Sequence, residues 1–275
     1  MTTRRDGEPE FFGDGELERG VVRAFAGGEV CVRSARSPDK QGSNEDAVAL
    51  IPLGEQAGVL ALADGVGGLP DGAQASRVVL GELASRVVAA AREGTVVRDA
   101  ILDGIESANQ AVLALGGGAS TLVAAEIDGA VVRSYHAGDS LILVTGLRGR
   151  VRMQTVPHSP IGYAVESGLM DAEEAMHHDA RHLISNMIGS PEMRIELGPL
   201  VELHRYDTLL LASDGLADNL LPDEIVELIR KGRLAGATGQ LFDACRRRMT
   251  DPEVGRPSKP DDVSIIAYRS RHAPR

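Results

Sequence analysis

Five acidic positions of the chain share one local setting, in which each acid lies at or beside a short apolar run. In three of them a glycine is next to the acid. The positions are Glu45-Asp46, Asp64, Asp139, Asp214 and Asp261-Asp262. Apolar runs of this length predict buried strands, so the acids are expected at strand ends, rigidly held but reachable by water. Carboxylates repel one another at short range, and hard divalent cations bound through oxygen relieve that repulsion. The pattern therefore predicts a carboxylate-rich centre of the Mg²⁺ or Mn²⁺ type, assembled from distant segments.

The elements that must position these acids come in blocks along the chain. Strand-like runs at 29–34, 47–52 and 58–63 precede two helices whose apolar residues recur at helical spacing. A second block of strands, an irregular segment, one strand, two helices and a final strand follow. Strands grouped together with helices in pairs predict stacked layers, with two sheets inside and helices outside.

The domain boundaries follow from composition. Residues 1–28 are polar and glycine-rich with little periodicity, and we expect a flexible arm there. Residues 29–270 are predicted to form one domain. Within it, the irregular segment 158–199 carries four Met and several His and is expected to be a flap-like insertion. Residues 271–275 form a basic tail.

Bulk composition excludes several classes of function. The formal net charge is -11, which argues against a nucleic-acid or anionic-membrane binder because both need a basic surface. Cys31 and Cys245 fit two buried thiols rather than a disulfide scaffold. The first residues have no apolar signal-peptide core, and no charge-free stretch is long enough to span a bilayer. A cytoplasmic protein is therefore expected.

Six motifs lie in order between residues 29 and 268: SNEDA, LADGVGG, GASTLVAA, AGDS, ASDGLADN and PDDVSII. Each acid alone is also typical of an ordinary turn or strand start, but six motifs in one order favour a functional site. The chain resembles the metal-dependent Ser/Thr protein phosphatases of the 2C type, and bacterial members in particular. The resemblance implies an α+β fold, a four-layer α-β-β-α sandwich with a central antiparallel β-sandwich flanked by helix pairs. It also implies hydrolysis of phosphoserine and phosphothreonine in proteins by a metal-bridging water.

The resemblance implies a role for each acid. Asp64 would bridge two Mn²⁺ or Mg²⁺ ions, and the carbonyl of Gly65 would bind one of them. Asp214 and Asp261 would hold the other. The remaining implied roles belong to Asp46, which would orient metal-bound waters, to Glu45, which could bind a metal directly, and to Asp139, which would help bind a third, weaker metal.

One departure from the family pattern concerns the substrate phosphate. Many members carry an arginine four positions before the glutamate of the first motif, and here that position is Gln41. A neutral amide cannot make the bidentate, charge-assisted contact of an arginine. Lys40, Arg33 and Arg36 are the candidates to take its place.

Several alternatives stay open at this stage. The partner would be a phosphoprotein substrate of a Ser/Thr kinase, or the kinase itself. A phosphorylated regulator of transcription would serve equally well. A catalytically weak, metal-binding adaptor for phosphoproteins is the alternative from another class, and Gln41 is its main support. His178 and His182 lie at helical spacing, but we interpret them as polar positions of the insertion rather than a zinc site.

Overall fold

The computed structural model describes residues 7–13, 16–68 and 71–271, and two six-stranded antiparallel sheets form its centre. The first sheet contains, in spatial order, β1 (Glu10–Phe12), β4 (Asp46–Pro52), β5 (Ala57–Asp64), β6 (Leu122–Asp128), β7 (Val131–Ala137) and β10 (Glu196–Glu202). The second contains β2 (Val21–Phe25), β3 (Gly28–Ala35), β12 (Val263–Ser270), β11 (Thr208–Ala212), β8 (Leu141–Thr145) and β9 (Val151–Gln154).

Seven α-helices and one 3-10 helix occur in the described parts of the chain. They are α1 (Gly72–Glu93), α2 (Val97–Leu115), α3 (Pro160–Glu166), α4 (Ala172–Met176), α5 (Asp214–Ala217), α6 (Pro222–Ile229) and α7 (Leu234–Thr250), with the 3-10 helix at Asp179–His182. No helix in these ranges combines the length and apolarity that crossing a bilayer requires.

Side chains that point alternately to the two faces of each strand explain the layers. In β5, Leu60 and Leu62 belong to the core between the two sheets, whereas Val59, Ala61 and Ala63 pack under α1 and α2. Successive strand side chains point to opposite faces, so a run that is apolar at every position is buried on both sides. This is why an uninterrupted apolar strand lies in the middle of a sheet covered by helices.

The second sheet follows the same rule. Leu209 and Leu211 of β11 face the first sheet, whereas Leu210 and Ala212 face α6 and α7. The molecule is thus a four-layer α-β-β-α sandwich, and the fold class expected from the sequence is confirmed.

Two glycines shape the helix pair over the first sheet. Gly94 ends α1 with φ 70°, a left-handed conformation that glycine adopts without strain, and its N–H donates to Ala90 O. Gly104 of α2 faces α1, and a Cβ there would lie 3.1 Å from Leu83 Cα. The missing side chain lets α1 and α2 pack closely.

The N-terminal segment departs from the prediction of a flexible arm over residues 1–28. β1 pairs with β4 at one edge of the first sheet, and β2 pairs with β3 at one edge of the second. Arg23 joins the two strands through its Nη2, 2.8 Å from Glu10 Oε1. Short edge strands need only one row of hydrogen bonds and half-buried side chains, so they leave little apolar periodicity in the sequence. Residues 1–6 and 14–15 of the expected arm and 272–275 of the expected basic tail lie outside the described residues.

The segment 158–199 lies between β9 and β10. It contains α3, α4 and the 3-10 helix, and its last residues begin β10. Ile188 anchors it to the main body, because its N–H and carbonyl exchange hydrogen bonds with Ser120 at 2.8 and 3.0 Å. The short helices are only partly buried, whereas Ile188 belongs to the core between the first sheet and its helices, with Met193 and Ile195 packed against it.

Candidate metal centre

The predicted acids meet at one end of the sandwich because they lie at adjacent strand ends. Asp46 begins β4 and Asp64 ends β5, and the two residues are cross-strand partners. Asp214 follows β11, and Asp261 precedes β12, the neighbour of β11. Asp139 lies in the short link between β7 and β8. The structure therefore brings all five of these acids to one centre, with contributions from both sheets.

Asp46 is the most enclosed acid of the group. It is 1% exposed, its Oδ2 accepts a 2.8 Å hydrogen bond from Ser213 Oγ, and its Oδ1 has no partner among the described residues. Burial first, and then the charge of Asp262, raises the pKa of Asp46 to about 8. A buried carboxylate oxygen without a donor is costly. A cation would remove that cost.

The carboxyl group of Asp64 interacts electrostatically with the other acids of the cluster. Removal from solvent is the largest cause that raises its carboxyl pKa well above the usual value, and Asp46, Asp214, Asp261 and Asp139 follow in that order. Four like charges acting on one carboxyl group are consistent with these side chains lying near one another. Such a group is stable in its charged form only with cations nearby.

Asp139 is held by a tight link. The preceding Gly138 has φ 119°, and a Cβ there would lie 2.5 Å from Thr121 Cβ. Burial and the charges of Asp214 and Asp218 raise the pKa of Asp139 to about 8. Its Oδ1 is buried and unpaired in the described part of the protein. Asp139 thus offers a second free carboxylate oxygen to the centre.

Gly65 supplies backbone where a side chain would not fit. A Cβ on Gly65 would lie 2.3 Å from the carbonyl oxygen of Gly72, the first residue of α1. The Gly65 N–H donates to Glu45 O at 3.1 Å, which fixes the peptide beside the acids. Only glycine allows the start of α1 to approach the end of β5 this closely.

Two functional residues were missed by the sequence analysis, Lys259 and Asp218. Lys259 Nζ lies 2.8 Å from Asp218 Oδ2, 2.9 Å from Asp214 Oδ2 and 3.1 Å from Asp261 Oδ2. Burial and Asp214 raise the pKa of Asp218 to about 6. Spacing in the sequence could have indicated both residues. Asp218 is four residues after Asp214 on a helical turn, and Lys259 is two residues before Asp261.

The three basic residues predicted to bind phosphate lie in different surroundings. Lys40 lies beside the centre, with its Nζ 2.5 Å from Glu45 Oε2 and 2.8 Å from Asp262 Oδ2. Its ammonium thus neutralises acids that would otherwise repel one another. Gln41, next to it, is exposed.

The two arginines have other contacts in the structure, and their role as phosphate ligands stays a prediction. Arg33 points from β3 towards α7, where its guanidinium lies 5.5 Å from the Phe242 ring centroid and 3.8 Å from Asp243. Arg36 Nη1 donates to the carbonyl oxygen of Gly42 at 3.0 Å. The face of a strand on which an arginine lies decides its partners, and Arg33 is on the helix side of its sheet.

A second group of metal-binding side chain types lies apart, formed by His136, His158 and Glu196. The Gly138 N–H donates to His158 Nδ1 at 3.1 Å, and the amide nitrogen of Asn186 lies 2.7 Å from the same atom. His158 therefore carries its proton on Nε2, which donates to Glu196 Oε2 at 3.0 Å. This histidine fastens the segment 158–199 to the Gly138–Asp139 link, and its Nε2 is not free for a metal.

The carboxylate centre, in contrast, fits divalent cations. Its donors are oxygen atoms, and the Oδ1 atoms of Asp46 and Asp139 are buried and unpaired within the described ranges. Oxygen-only ligand sets select Mg²⁺, Mn²⁺ or Ca²⁺ over zinc. The described residues thus offer oxygen ligands for divalent cations, and the partly exposed Asp64, Asp214 and Asp261 connect the site to solvent.

Comparison with known proteins agrees with this geometry. Among curated relatives, PhpP of Streptococcus pneumoniae is 32% identical over 62% of this chain and 72% of its own length. Serine/threonine protein phosphatase PstP of Mycobacterium tuberculosis is 29% identical over 82% of this chain, but the match spans only 41% of PstP.

Solved structures give the same result. Serine/threonine phosphatase Stp1 of Staphylococcus aureus superposes with a TM-score of 0.74 at 25% identity, covering 88% of this chain and 95% of Stp1. The catalytic domain of PstP, solved with two manganese ions, gives a TM-score of 0.67 at 25% identity over 91% of this chain and 98% of that one. The family model described as protein phosphatase 2C matches residues 36–248. With its sandwich fold and its cluster of strand-end acids, the chain belongs to the protein phosphatase 2C family.

Proposed function

We propose that this protein hydrolyses phosphoserine and phosphothreonine in other proteins, with two Mn²⁺ or Mg²⁺ ions held by Asp64, Gly65, Asp214 and Asp261. The observation that carries the proposal is the buried cluster itself. Acids from both sheets raise one another's pKa values, and two carboxylate oxygens in the described ranges have no partner. Divalent cations, when bound, would supply the charge that lowers the pKa of a bridging water and neutralises phosphoryl oxygens.

The chain's own residues would position the reacting groups. Ser213 fixes Asp46 through Oδ2, which leaves Oδ1 free to accept a hydrogen bond from a water and so to orient it. Asp64 is held by its backbone, because its carbonyl accepts hydrogen bonds from Thr121 N at 2.8 Å and Ser120 Oγ at 2.9 Å. Asp139 would help bind a third cation. Glu45, which Lys40 neutralises, would act through water rather than directly.

The substrate would bind beside the acids, in a cleft of about 410 Å³. Asp139 and Asp214 line it, together with apolar side chains that include Leu141, Ile161 and Ile225. Ile161 belongs to the segment 158–199, whereas Ile225 is on α6. We therefore infer that this segment acts as a flap and that side chains next to the phosphorylated residue of a phosphoprotein pack in the cleft. A Ser/Thr kinase would supply that substrate.

The test is hydrolysis of p-nitrophenyl phosphate and of a phosphothreonine peptide with Mn²⁺, with Mg²⁺ and with chelator. Native protein, Asp214→Ala and the matched control Asp223→Ala, an exposed acid of α6, are compared. We expect metal-dependent turnover that chelator and Asp214→Ala abolish and that the control retains. Absence of turnover in protein that binds Mn²⁺ would overturn the proposal in favour of an adaptor. Gln41→Arg would then be the next variant, because it restores a guanidinium for the phosphate.

A further inference from the structure

Lys259 carries a positive charge directly against the acids proposed to hold the second cation. Its Nζ lies within 3.1 Å of Asp214, Asp218 and Asp261. An ammonium group has three N–H donors, and here each donor meets a different carboxylate. Asp214 and Asp261 are the two side chains assigned above to the second cation. The lysine therefore uses the oxygens that this cation would need.

The position of Lys259 is built into the backbone. The buried amide of Asn219 accepts the Lys259 N–H at 2.8 Å and donates to the Lys259 carbonyl at 2.7 Å. The same amide nitrogen donates to the carbonyl of Gly215 at 2.8 Å. Asn219 thus ties the lysine's peptide to the helical turn that carries Asp214 and Asp218. An ammonium held in this way is not a surface side chain resting against a neighbouring acid.

We propose that Lys259 serves as a built-in cation of the centre and that the second divalent ion binds only by displacing it. The inference rests on the metal-dependent function proposed above. The ammonium takes up lone pairs of these Oδ2 atoms at 2.8–3.1 Å, and its positive charge repels a divalent ion that approaches the same carboxylates. The first cation, at Asp64 and Gly65, meets no such competitor among the described residues. The centre therefore has one tight and one weakened position, and Lys259 sets the difference.

The first test measures Mn²⁺ binding directly, by calorimetry and by electron paramagnetic resonance of free Mn²⁺, on the full chain. Lys259→Gln removes the charge, Lys259→Arg keeps it, and Lys231→Gln is the matched control, because Lys231 pairs with Glu227 on an exposed helix face. We expect the weaker Mn²⁺ of Lys259→Gln to bind about tenfold tighter or more, since three charge-assisted contacts no longer oppose it. Lys259→Arg and Lys231→Gln are expected to bind like native protein.

Equal or weaker binding by Lys259→Gln would overturn the competition while leaving the phosphatase proposal intact. Lack of Mn²⁺ binding by every form would overturn both. Because Lys259→Gln could lose its fold without the counter-charge, a second measurement uses native protein only. Acylation of lysines by an amine-reactive ester, read by mass spectrometry, should speed up at Lys259 as Mg²⁺ is added and stay constant at Lys231. A Lys259 rate that does not change while Mg²⁺ binds would also overturn the proposal.

Discussion

Asp46 and Asp64 are direct cross-strand partners at the ends of β4 and β5, so the fold places two carboxyl groups opposite each other. Like charges in this relationship destabilise a sheet, and burial adds to the cost. The protein retains them next to Asp214, Asp261 and a lysine. These like charges therefore lower stability at this site, and the proposed metal binding would restore it.

The first prediction concerns that cost. In chelator, Asp64→Asn should unfold at higher urea concentration than native protein, with a gain of about 1–3 kcal/mol, because a neutral amide replaces a repelled carboxylate. With saturating Mn²⁺ the order should reverse, since the variant lacks one of the proposed metal ligands. Urea melts with chelator and with Mn²⁺ measure both effects. A variant less stable than native protein in chelator would contradict the account of repulsion.

The second prediction concerns the close approach at Gly65. Gly65→Ala should lower the free energy of unfolding by about 1–3 kcal/mol, because its Cβ would lie 2.3 Å from Gly72 O and the start of α1 must move. The control is Gly81→Ala on α1, where a Cβ meets no described atom within 4 Å. There alanine should raise stability by up to about 1 kcal/mol through helix propensity. Equal effects of the two substitutions would show that the contact at Gly65 is not limiting.

The third prediction concerns pH. Burial and the neighbouring His158 ring, whose centroid is 4.3 Å away, lower the pKa of His136 from 6.5, and Glu196 is the acid that faces this pair. Below about pH 6.5 the folded state therefore binds fewer protons than the unfolded state. The stabilisation that the neutral His136 ring gives to the folded state is complete above that pH and is lost on acidification.

His136→Gln keeps a donor for the carbonyl of Val156, which His136 Nε2 contacts at 3.1 Å. The glutamine side chain does not ionise. Native protein should lose more stability than this variant between pH 7 and pH 5, as urea melts at both values would record. The acids of the centre contribute alike to both proteins, so the difference reports on His136. Parallel losses would mean that the buried ring is not destabilised by protonation.

The fourth prediction concerns the cleft. Ile161→Asp should lower kcat/KM for a phosphothreonine peptide about tenfold or more and leave p-nitrophenyl phosphate hydrolysis nearly unchanged, because the small substrate does not reach the apolar wall. Leu169→Asp in the same segment is the control, since Leu169 is 84% exposed. Exchange of the whole segment 158–199 should change peptide preference in the same way. Equal loss on both substrates would place the effect at the metals and not in the cleft.

Sequence patterns predict the layers and the acids because both depend on local rules. Strands that are apolar at every position must be covered on both faces, and an acid that ends such a strand must lie at an edge of the sheet. The contacts of Arg33 cannot be predicted from local patterns, because they come from α7, more than 200 residues further along the chain. The role of Lys259 cannot be predicted from the sequence either, because a lysine beside an aspartate usually forms a weak surface pair. Only the assembled loops show that it is surrounded by three acids.

The hydrogen bond from Ser213 to Asp46 joins the residue that follows β11 of one sheet to the first residue of β4 of the other. The acids are divided in the same way, with Asp46 and Asp64 on the first sheet and Asp214 and Asp261 on the second. A cation bound by both pairs is a cross-link between the two halves of the core, comparable to a disulfide that closes a long loop. Loss of the cation would remove this cross-link, and the sheets could then separate at that end first. The metal content of the protein would thus control how long the native state survives as well as whether it is active.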